Sequence, residues 1–163
     1  MLASACASCA AADAPVTTTV VDLPEATQAQ AIIRLTLAGS TWTVSGAKLD
    51  AASSEDGAVL HGLEAPINVV SWPASAAFVQ RLEEHLATPA GAPRPEIVHQ
   101  ADHGENGFEA VVHVGSAWEI TVLKRRADYM DGAMCSCTAN GIATYKAALA
   151  VCASLKPSQL AGH

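Results

Sequence analysis

Twice along the chain a Gly-Ser pair sits between runs that alternate apolar and polar residues, and nothing else in the sequence constrains the fold as strongly. Successive side chains on a strand point to opposite faces, so period-two alternation marks strands with one buried face. A glycine followed by a small polar residue between two such runs marks a tight hairpin turn. In the first copy, over residues 33–44, a turn at Gly39-Ser40 sets Leu37 opposite Trp42 and Leu35 opposite Val44. In the second, over residues 108–122, a turn at Gly115-Ser116 sets His113 opposite Trp118 and Val111 opposite Ile120. The shared Gly-Ser-x-Trp reads either as the trace of a duplication or as two hairpins that converged on one turn chemistry. The second reading is preferred, because a single short match does not make a repeat.

Further elements follow from local composition. Residues 16–21, Val-Thr-Thr-Thr-Val-Val, are β-branched throughout and predict a strand that Pro24 follows. Residues 67–72 predict another, running into Pro73. Ser71 is a candidate cap and Pro73 suits a first helical turn; Phe78, Leu82 and Leu86 then recur at helical spacing, which predicts a middle helix over residues 74–87 that Pro89 ends. A Pro/Gly-rich stretch, 89–95, reads as an exposed loop. A C-terminal helix is expected over residues 138–155, with Ile142, Tyr145, Leu149, Cys152 and Leu155 on one face and Pro157 after its end. The fold class is therefore α+β: antiparallel hairpins and sheet with a middle helix and a C-terminal helix.

The chain has 163 residues, half of them hydrophobic and only 15% charged, enough to bury a core in one domain. That domain is expected over residues 15–163. Residues 1–14 read instead as the remnant of an export signal: they lack Lys, Arg and aromatics, and Ala10, Ala11 and Ala12 before Asp13 fit the small-x-small cleavage pattern. Ala3, Ser4, Ala5 and Cys6 also resemble a lipobox, which makes Cys6 a lipidation candidate and an outer-membrane anchor an alternative to cleavage. A disordered Ala-rich N-terminus of a cytosolic protein is the competing reading. Under the export reading the protein is periplasmic or anchored in the outer membrane. The net charge of −7 disfavours nucleic acid. No stretch is apolar for the roughly 20 residues a transmembrane helix needs.

Candidate chemistry concentrates in few places. Cys135 and Cys137 precede the last helix and Cys152 lies on its expected buried face. With the two near neighbours expected on opposite faces of a strand, a bridge from one of them to Cys152 is the favoured pairing. Free buried thiols, or metal and redox use, remain as alternatives. His99 and His103, with Asp102 between, offer imidazoles and a carboxylate. Along a strand, however, the two imidazoles stand about 13 Å apart, and a solvated loop is the preferred reading, with no metal expected. His113 opposite Trp118 is expected to be packed. Asp128 and Asp131 flank Tyr129 and Met130 in what reads as a turn, without the alternating ligands of a calcium loop. No hydrolase elbow, phosphate-binding loop or dinucleotide fingerprint is present, so no catalytic residue and no cofactor is assigned.

Trp118 with its strand, Cys135 or Cys137, and a helix from Ile142 to Leu149 that closes at Cys152 resemble small bacterial periplasmic immunity or inhibitor proteins. The nearest likeness is to the immunity proteins that neutralise type VI secretion cell-wall amidases; it covers about a quarter of the chain, and no inhibitory residue carries over. The resemblance implies an exported protein that binds a partner enzyme and occludes its site. Three acidic, turn-rich segments are the candidate contacts: Glu55 and Asp56; Asp102, His103 and Glu105; and Asp128 and Asp131. Two alternatives are a metal- or thiol-dependent enzyme built on His99, His103, Cys135 and Cys137, and a structural envelope lipoprotein.

Overall fold

The structure, a computed structural model, describes residues 18–21, 31–73, 91–126 and 131–158. The expected leader with Cys6 and the helix expected over 74–87 lie outside the described residues. The rest is mostly antiparallel β-structure with one helix near the C-terminus. One sheet has four strands: Thr18–Val21 (β1), Ala31–Leu37 (β2), Ser40–Gly46 (β3) and the short Lys156–Pro157 (β11), in the order β1-β2-β3-β11. The other has seven: Asp50–Ser53 (β4), Gly57–His61 (β5), Ile67–Pro73 (β6), Glu96–Asp102 (β7), Gly107–Val114 (β8), Ala117–Arg125 (β9) and Asp131–Ala139 (β10), in the order β4-β5-β6-β10-β9-β8-β7. The helix Ile142–Ala153 (α1) lies on β9 and β10 and touches β3.

Both expected hairpins form. The second has the expected register, His113 opposite Trp118 and Val111 opposite Ile120, with Gly115 at φ 62° leading its turn. The first is shifted by two residues: Leu35 faces Trp42 and Ile33 faces Val44. Its turn is Ala38-Gly39, both left-handed at φ 46° and 82°, the pattern of a type I′ rather than a type II′ turn. This register gives Ile33 the side chain of Val44 to pack on, where the expected one offers it only Gly46. A shift of two leaves every side chain on its original face, so the buried set is unchanged. The two Gly-Ser pairs thus occupy different turn positions and lie in different sheets, which fits convergence better than duplication.

The four-stranded sheet and α1 cover one face of the seven-stranded sheet. Ile33, Leu35, Leu37, Trp42 and Val44 from the first sheet meet Leu60, Ile67, Val69, Val111, Ile120 and Val122 from the second and Ala148, Val151 and Cys152 from the helix in one core. Phe108, Ala110 and Leu123 form a second cluster on the opposite face, with Trp72 and Met134 against it. Strands β8 and β9 are therefore buried on both faces, which is why consecutive apolar pairs such as Val111-Val112 and Val122-Leu123 interrupt their alternation.

Three expectations need correction. The C-terminal helix does not start at residue 138, because Thr138 and Ala139 stay in the ladder opposite Glu119 and Trp118. Ile142 is 57% exposed rather than buried: the packed stripe runs through Ala148, Val151 and Cys152, and Ile142 lies about 120° round the helix from Ala148. Finally, Cys135 and Cys137 share a face of β10, both buried, as the period of two requires for residues two apart.

Candidate functional site

Cys135 is bonded to Cys152, with Cα atoms 5.4 Å apart, which ties α1 to the middle of the seven-stranded sheet. Cys137 is a free, buried thiol, and burial pushes its ionisation up. It thus lacks the exposed, cation-flanked setting of a nucleophilic thiol. Near the helix start, the rings of His113 and Trp118 stack at 4.4 Å and Trp118 stacks on Tyr145 at 5.7 Å. His113 is packed, as expected from its cross-strand position.

The residues expected to form a solvated loop build the most structured polar cluster of the described residues. His99 belongs to β7, and His103 follows its end. The chain then turns through Gly104–Asn106, a single 3-10 turn, into β8. Asp102 Oδ1 accepts from the Gly104 N–H at 2.8 Å, and the His103 N–H donates to Gly107 O at 3.0 Å. Gly107, at φ 140°, brings its backbone so close to Leu123 O that a β-carbon has no room. This reversal folds His103 back over β8. His99 Nε2 then lies 3.5 Å from Glu109 Oε2 and His103 Nε2 lies 3.1 Å from Glu109 Oε1, while Lys124 Nζ donates to the same Oε1 at 2.9 Å. The extended-strand estimate fails because the strand ends before His103.

Glu109 is the residue that sequence reasoning missed. It occupies a position of β8 that alternates with Ala110 and shares a face with core residue Val111, and a carboxylate on a core-facing position needs partners. Its side chain is 13% exposed. Burial favours its neutral form, but the Lys124 ammonium and the two imidazoles outweigh burial and hold the carboxyl below its ordinary range. Among the described residues no group of His, Cys, Asp and Glu is disposed to hold a metal ion. Strands β8 and β9 separate the histidines of β7 from the cysteines of β10, so the structure does not bring the two halves of the proposed enzyme site together.

The acidic turns share one end of the seven-stranded sheet without forming one patch. Glu55 and Asp56 are the tip of the β4–β5 turn, closed by the Ser54 N–H donating to Gly57 O at 2.9 Å. Asp131 starts β10 opposite Pro73, and the 102–105 turn joins β7 to β8. Asp128 lies outside the described residues. From β5 to β8 is four strand spacings, about 19 Å. At the edge, β7 has no outer neighbour among the described strands, and a register shift between Ile97 and His99 leaves Ile97 and Val98 side by side, 43% and 42% exposed.

A cleft of about 630 Å³ opens at the same end, where the end of α1, β3, β11 and the end of β9 meet. Ser45, Asn106, Lys124, Arg125, Ser154 and Lys156 supply its polar lining. Ser154 Oγ accepts from the Ser45 N–H at 2.8 Å and lies 2.6 Å from Val151 O, so the helix end is fastened to β3. Comparison with protein-family models, with curated proteins and with solved structures finds no match.

Proposed function

We propose that this is an exported binding protein, of the immunity or inhibitor kind, that docks a partner enzyme along the β7 edge. One observation carries the reading: an edge strand exposes two adjacent branched aliphatics, Ile97 and Val98, and runs into an acidic turn with Asp102 and Glu105. An apolar centre with a charged rim and a row of backbone N–H and C=O groups is suited to a protein partner that adds a strand. Isolated edges of this kind invite unwanted pairing unless a partner covers them. The Cys135–Cys152 bond supports work outside the reducing cytoplasm. The thiol-enzyme alternative is left with one bonded sulfur and one buried thiol.

The test is inhibition. Type VI cell-wall amidases are assayed on peptidoglycan with and without an equimolar amount of this protein. Expected is loss of hydrolysis by at least one amidase, restored when Ile97 and Val98 are both replaced by Asp and weakened when Asp102 and Glu105 become Ala. Full hydrolysis by every amidase removes the inhibitor reading, and undiminished inhibition by the Ile97→Asp, Val98→Asp protein moves the interface off β7.

A further inference from the structure

The second polar feature, the cleft at the end of α1, is independent of the β7 edge and is charged in the opposite sense to the molecule. The chain carries nine Lys and Arg against sixteen Asp and Glu, yet three of those cations and, among the described residues, no carboxylate line this cleft. In an acidic protein such a concentration makes a local well for anions that the overall charge otherwise repels.

The walls are rigid where a ligand needs them to be. Ser154 is tied to β3, and α1 is tied to β10 by the disulfide. Lys124 is held by the Glu109 carboxylate at 2.9 Å, which uses one of its ammonium donors. The remaining two are held in a fixed place and not swept through solvent. Lys156 leaves the helix end on β11, and its backbone pairs with Thr43, so its position is set by the sheet. Asn106 adds a side-chain amide, while Leu155 and Pro157 add an apolar wall. The volume, about 630 Å³, lies within the span of small-molecule sites.

We propose that this cleft binds a small amphipathic anion, a carboxylate or phosphate attached to a short apolar body. The anionic head meets Lys124, Arg125 and Lys156, and the body lies against Leu155 and Pro157. Charge-assisted hydrogen bonds from preorganised cations hold such a head more firmly than neutral donors do.

The experiment is an NMR titration of the full chain, isotope-labelled and at constant ionic strength, with phenyl phosphate, with benzoate and with neutral benzyl alcohol. Expected are saturating shifts at the amides of Asn106, Lys124, Ser154 and Lys156 with one or both anions and none with the alcohol. The tighter anion names the head group. Lys156→Gln, at an exposed position, weakens binding by about tenfold, and Asn106→Ala weakens it less. Absence of saturation with both anions overturns the proposal; so does an equal response to benzyl alcohol, or unchanged affinity in both variants. The result is unaffected by whether β7 takes a partner.

Discussion

Glu109 organises its surroundings because four groups compete for two oxygens. Lys124 and His103 share Oε1, and His99 approaches Oε2. Its carboxyl is held below the ordinary range, so the folded state binds a proton there less readily than the unfolded chain. The stability from this group is therefore fully present above the ordinary carboxylate range near pH 4.3 and is lost as pH falls through the lowered folded value. Glu109→Gln is expected to flatten that acid limb of a melting-temperature profile between pH 2 and 6; an unaltered limb excludes Glu109 as its source. At the first hairpin, Ala38 holds a left-handed backbone at φ 46°, which a β-carbon disfavours by about 1 kcal/mol. Ala38→Asn creates the Asn-Gly pair preferred in type I′ turns and is expected to stabilise the protein by about 0.5–1 kcal/mol in urea unfolding. No gain in the midpoint means that the turn conformation is not limiting.

At the scale of elements, α1 is held by its position as much as by its own sequence. Strand β10 presents Ala133, Cys135, Cys137 and Ala139 on the face toward the core that α1 joins, and small side chains let a helix approach a sheet closely. That accounts for a central strand poor in the β-branched residues that mark strands elsewhere. The disulfide spans a sequence separation of 17, for which loop-closure entropy gives about 3 kcal/mol. Replacing Cys135 and Cys152 together by Ser is expected to lower unfolding stability by about that amount in denaturant titration, with Cys137 protected from alkylation until the domain unfolds. Rapid labelling of Cys137 in the intact native protein contradicts its buried placement.

Across the whole molecule, the topology sends the acidic turns and the cationic cleft to one end of the seven-stranded sheet. The turns are kept on opposite edges, with Glu55 and Asp56 beside β4 and Asp102 and Glu105 beside β7. A partner seated on the β7 edge therefore gains its charged contacts from one turn only. Under the proposed function, Glu55→Ala with Asp56→Ala leaves partner affinity within about twofold, whereas Asp102→Ala with Glu105→Ala weakens it by about tenfold in a surface-binding assay. Equal losses at both edges indicate a partner that spans the whole sheet end.

The sequence by itself determined what is written within a few residues. Alternation and turn chemistry placed both hairpins, β-branched runs placed β1 and the start of β6, and the Cys135–Cys152 pairing lay among the bridges that spacing allows. Helical spacing located α1 but not its start, since nothing local distinguishes Thr138 in a ladder from Thr138 in a first turn. Strands β4, β5, β7 and β10 were not legible, because Ala, Ser, Gly and Cys carry little intrinsic strand preference and acquire it from their neighbours. Only the tertiary structure decided that His99, His103 and Lys124 meet at Glu109, that β7 is an edge and that three cations share a cleft. Each depends on register and strand order, which are fixed when segments far apart in the chain bury their faces together.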